Sequence, residues 1–145
     1  MAMKTAAVIN FLILCLAVSA APVRLGTFEV DATPPLGSPL AYDTMTGVDL
    51  PLSCRGIVLL GAGDPIVLAA IDWIGLSNDG HLEFRKALAK GASTRVERVA
   101  MHTLHQHDAP RCDFSADALL AKHGMGGKNF NVAHARKVIA SVAAA

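Results

Sequence analysis

Within residues 102–110, HTLHQHDAP, the chain places three histidines, one aspartate and a closing proline. Neutral imidazole is a good zinc ligand, and a close pair needs only one or two more N or O donors to make an open catalytic site. On an extended backbone, residues two apart share a side, so His105 and His107 aim at one point while His102 faces away. The pattern predicts a metal half-site with His105 and His107 as ligands, and Asp108 as a further ligand or as the carboxylate that orients an imidazole. A solvent-exposed loop of hydrogen-bonded histidines fits the same spacing. No His-Glu-x-x-His pattern occurs, and Cys112 lacks a second cysteine at the spacing that structural zinc sites use. His81, His123 and His134 are scattered and read as surface residues.

The elements that must position this loop follow from the hydrophobic pattern. Residues 98–104 alternate into a short strand that stops where the histidine loop begins. Upstream, unbroken apolar runs at 57–60 and 66–71 flank Gly61-Ala62-Gly63-Asp64-Pro65, which predicts two strands buried on both faces and joined by a hairpin turn. The two glycines do not make a nucleotide-binding loop, because no third glycine follows and no helix opens there. Residues 23–30 read as a strand that runs into the stiff loop DATPPLGSP. Ser77, Asn78 and Asp79 are N-cap types ahead of a helix with Leu82, Phe84, Ala87 and Leu88 on one side and Gly91 as its stop.

A short helix is predicted over 117–123, broken by GMGG at 124–127, and an alanine-rich helix over 132–145. The latter runs to the final residue without a stop signal, which reads as a cut and so as a fragment of a longer protein. Strand, hairpin, helix, strand is the order of an α/β (or α+β) sandwich with a mixed β-sheet and flanking helices. Asp31 and Asp72 fall at strand ends, where they either face the same cleft as the histidines or cap loops and turns. Trp73 reads as core or rim packing.

Composition limits the classes. At 52% hydrophobic and 17% charged the chain is a folded one, and its net charge of +1 gives no basic footprint for nucleic acid or an acidic membrane. Residues 1–20 have one early lysine, an uncharged apolar run and small residues at the end, the pattern of a secretory signal peptide; an uncleaved anchor is the rival reading. Cleavage removes Lys4 and leaves 12 basic against 12 acidic side chains, with no stable membrane span and a secreted or periplasmic location. Two cysteines then remain, Cys54 and Cys112, either bonded in an oxidising compartment or free and buried.

Three pieces in order, Asp31-Ala32-Thr33-Pro34-Pro35-Leu36-Gly37, Asp72-Trp73-Ile74-Gly75-Leu76 and His105-Gln106-His107-Asp108-Ala109-Pro110, resemble the N-terminal region of the neutral/alkaline non-lysosomal ceramidases and their secreted bacterial relatives. The resemblance spans roughly residues 23–112. It implies the N-terminal part of a zinc-dependent amidase, residues 21–145 being a partial ceramidase-like domain. It places a zinc ligand on His105 and an active-site histidine on His107, with zinc as cofactor and a small-molecule or lipid amide as substrate. Gln106, Asp108 and Ala109 depart from the family's Thr, Ser and Gly, so the loop's hydrogen bonding must differ. The resemblance also implies a further histidine, a glutamate and a tyrosine on the zinc, and a catalytic serine, all downstream of this region. The other class in play is an exported, non-catalytic binding or structural module whose histidine loop is incidental or scavenges metal.

Overall fold

The computed structural model describes residues 22–61 and 63–145. The proposed signal segment therefore lies outside the described residues. Four strands form the main sheet: β1 Arg24–Asp31, β2 Ser53–Gly61, β3 Gly63–Ile71 and β5 Val99–Thr103, in the order β1-β2-β3-β5. The first two pairings are antiparallel and β3 with β5 is parallel, so the sheet is mixed, as the order of elements predicts. Between β3 and β5 runs α1, Asn78–Gly91, which completes a strand-helix-strand crossover. Two short strands, β4 Gly75–Leu76 and β6 Arg111–Cys112, pair in parallel beside it. Helices α2, Phe114–Ala121, and α3, Val132–Ala144, follow. This is an α/β fold.

The core lies between the sheet and one layer of helices. Val67, Ala69 and Ile71 of β3 and Val99 and Met101 of β5 meet Phe84, Leu88 and Ala89 of α1 and Ala135, Val138 and Val142 of α3. Trp73, Phe84 and Phe130 are the largest fully buried side chains. Burying such apolar groups contributes about 1.5–3 kcal/mol each, the dominant favourable term for this layer.

The expectation of two-sided burial for the hairpin is not met. In β3 burial alternates: Val67, Ala69 and Ile71 are covered, whereas Ile66 and Leu68 are 37% and 42% exposed. Register carries the same side onward through Ile57 and Leu59 of β2 to Leu25 of β1. An apolar run without alternation therefore reported two apolar faces, of which the helices cover one. The turn is also tighter than expected, since Gly61 pairs with Gly63 and β3 already includes Asp64 and Pro65.

Helix boundaries differ for local reasons. Ser77 occupies the N-cap of α1 but makes no side-chain cap bond, and Leu82 is 37% exposed rather than on the buried side. Helix α2 starts three residues before its predicted start because Asp113 caps it, accepting from Ala116 N at 3.0 Å. Asn131 caps α3 the same way through His134 N. Cys54 and Cys112 are free and fully buried, and burial pushes both thiols up to about 12, which makes them poor nucleophiles. No helix among the described residues is long and apolar enough to cross a membrane.

Candidate metal centre

Strand arithmetic creates the histidine loop. The parallel ladder of β3 and β5 ends at Ile71 and Thr103, and pairing resumes between Gly75 and Arg111. One segment covers that gap with residues 72–74 and the other with 104–110, so the longer must protrude. Both feet are fixed by the backbone: Leu104 N donates to Ile71 O at 3.0 Å, and Ile74 N donates to Pro110 O at 3.1 Å. Ala109 and Pro110 are buried, while residues 104–108 face solvent. The protrusion sits beyond the C-terminal ends of two parallel strands, where α/β sheets commonly carry ligands.

His105 has φ +61°, in the left-handed region, where histidine is several-fold enriched among non-glycine residues. The extended-strand geometry expected for residues 105–107 is therefore absent; the strand has already ended at Thr103. The two imidazoles come together through this kink instead, with ring centroids 5.2 Å apart and planes 71° apart. Two imidazoles bound through nitrogen to one tetrahedral zinc, at about 2.05 Å each, hold their centroids roughly 5.2 Å apart. The same spacing is also that of direct edge-to-face packing of two rings.

His105 Nδ1 lies 3.0 Å from Ile74 O. A carbonyl only accepts, so Nδ1 carries the proton and donates, which leaves the Nε2 lone pair available to a metal. This is the arrangement by which protein groups usually orient a metal-binding imidazole. His107 makes no hydrogen bond among the described residues. Its neighbours are the ring of His105 and the ring of Tyr42, the latter at 5.3 Å with an interplanar angle of 65°. Tyr42 was not singled out by sequence; only its aromatic type in a proline-flanked loop hinted at it.

The other candidates do not join the pair. His102 is exposed on the uncovered side of the sheet, opposite Ala70, and makes no ring contact with either histidine among the described residues. Asp108 is exposed and makes neither a hydrogen bond nor an ion pair with an imidazole among the described residues. Asp72 is spent on β2: its Oδ2 accepts from Ser53 N at 2.7 Å and Ser53 Oγ at 2.9 Å. Asp31 accepts from Thr33 N at 2.8 Å, and hydrogen bonds from Thr33 hold its carboxyl below the usual range. Asp31 thus makes a local turn bond, whereas Asp72 ties the end of β3 across to the start of β2. Trp73 is core, donating Nε1–H to Ala32 O at 2.9 Å. No group of three or more His, Cys, Asp or Glu side chains able to hold a metal occurs among the described residues. What the fold brings together is two imidazoles, fewer donors than a four-coordinate ion takes.

Two histidines read as surface residues lie deeper. His81 reaches Met101 O at 3.2 Å and is half-buried. His134 is half-buried too, its ring 6.0 Å from that of Trp73 and its Nε2 3.3 Å from Ala32 O. Helical spacing alone did not show that α3 turns this side chain inward. Desolvation lowers the pKa of His134 below 6.5. A histidine whose folded-state pKa is depressed keeps its full contribution above the unfolded value and loses it as pH falls through that value towards the folded one. Urea unfolding midpoints should therefore fall more steeply from about pH 8 to about pH 5 in the wild type than in His134→Gln. Equal slopes would refute this role.

No protein-family model and no curated protein matches the chain.

Proposed function

We propose that this chain is the N-terminal part of a secreted or periplasmic zinc-dependent hydrolase resembling the neutral ceramidases, acting on an amide bond of a small molecule or lipid. The observation that carries this reading is the pairing of His105 and His107 with the His105 Nδ1 proton committed to Ile74 O. Zinc bound there would supply Lewis-acid activation of a carbonyl and of water. The chain's own part is positional. Ile74 O fixes the tautomer and direction of His105, and His107 serves as second ligand or as a hydrogen-bonding group beside the oxygen that gains charge. Two imidazoles leave the four-coordinate set open, so the remaining donors and the nucleophile's base come from residues other than these.

Metal analysis tests the proposal. Protein grown with zinc and purified without chelator should carry the metal, held weakly because only two donors converge, and His105→Ala should lose it. Wild-type protein that takes up no zinc under titration would instead favour an exported non-catalytic module.

A further inference from the structure

His105 and His107 are held by different means. The first is tied by a hydrogen bond to Ile74 O, whereas the second has none among the described residues and is 5.2 Å from one ring and 5.3 Å from another. The second of these rings comes from Tyr42. Tyr42 is 70% exposed, so burial does not explain its placement.

The backbone does. At its base the Tyr42 loop is closed on itself by Gly37 N to Met45 O at 2.8 Å and Met45 N to Ser38 O at 2.9 Å. Met45 and Ser38 are buried there, and Asn131 Nδ2 donates to Ser38 Oγ at 2.9 Å from the start of α3. At its tip, Ala41 N donates to Ala109 O at 3.0 Å, and Arg111 Nη2 donates to Ala41 O at 2.8 Å. Both polar groups of the residue just before Tyr42 are thus fastened to the far foot of the histidine loop. The anchored loop presents an otherwise uncovered aromatic ring edge-on to His107.

We infer that Tyr42 is a positioning residue for His107, its ring holding that imidazole in the rotamer that faces the same point as His105. The inference rests on the reading of the two histidines as a zinc pair. It assigns the work to the ring and not to the phenol hydroxyl, so Phe should substitute and Ala should not. Groups that orient a metal ligand without touching the metal typically change affinity by about 10–100-fold when removed.

Co2+ serves as the probe, titrated into metal-free wild type, Tyr42→Phe and Tyr42→Ala and read by its visible absorption, with urea midpoints confirming equal folding. We expect Tyr42→Ala to bind about tenfold more weakly with an altered spectrum, and Tyr42→Phe to restore both. Wild-type affinity in Tyr42→Ala, or equal loss in both variants, overturns the inference while leaving the zinc reading in place. If the wild type binds no Co2+, the zinc reading fails, and NMR of the metal-free protein decides the positioning on its own. Ring-to-ring cross-peaks between Tyr42 and His107, with one set of His107 ring signals that Tyr42→Ala splits or broadens, then support it; their absence in the wild type overturns it.

Discussion

Trp73→Ala should lower the stability of the fold by about 3–5 kcal/mol, a large share of the roughly 5–15 kcal/mol that holds a typical domain together. Trp73 is 1% exposed, sits edge-to-face on Phe84 with centroids 5.6 Å apart and lies beside His134. Removing the indole therefore opens a cavity bounded by β3, α1 and α3. The same residue is the middle of the three-residue link whose last member, Ile74, orients His105, so the damage reaches the candidate site. Trp73→Phe should cost less, about 1–3 kcal/mol, because Ala32 O keeps His134 Nε2 at 3.3 Å when the indole N–H is gone. Far-UV circular dichroism during urea unfolding checks both variants; the chain's one tryptophan makes fluorescence useless in the variants. A midpoint unchanged in Trp73→Ala would sink the prediction.

What could be read from sequence here follows from which signals are local. The strands containing residues 57–60 and 66–71, helix α1 and strand β5 were legible because runs of apolar residues and punctuating glycines act within a few positions. The fold class followed from their order. The uncovered side of the sheet was not legible, since an apolar run has the same appearance whether helices lie on one side or both. The rings of His105 and His107 do lie close together, but not along the expected extended backbone: histidine tolerates the left-handed conformation, and residue type does not say which of the three in HTLHQHDAP adopts it. Tyr42 and the depth of His134 depend on contacts between segments 65 and 61 positions apart, Tyr42 to His107 and Trp73 to His134. No local pattern encodes them.

The second large effect concerns Gly80. This glycine is buried in the first turn of α1, and a Cβ there would run into the carbonyl of Cys112 and approach its Sγ to 3.0 Å. On helix propensity alone, Gly→Ala should add up to about 1 kcal/mol. Overpacking wins, because β6 has little room to retreat: Ser77 N donates to Cys112 O at 3.0 Å, and Ile74 N holds Pro110 O one strand-step earlier. We expect Gly80→Ala to cost about 2–3 kcal/mol, and a second change, Cys112→Ala, not to recover it, since the collision is with backbone. Gly47→Ala is the control; nothing lies within 4 Å of its would-be Cβ, and it should stay within about 0.5 kcal/mol of wild type. Chemical denaturation of the three variants measures the differences, and a Gly80→Ala midpoint matching that of Gly47→Ala would contradict the packing account.

The unequal spans between the two parallel pairings, residues 72–74 against 104–110, separate reach from framework. Ladder bonds clamp both feet of the longer span, so one residue added or deleted at its crest shifts where the imidazoles stand without slipping any strand. Such a scaffold tolerates tinkering with its reactive tip far better than with its supports. Homologous chains built on this plan should differ in length at the crest of that span and agree in length across the short one.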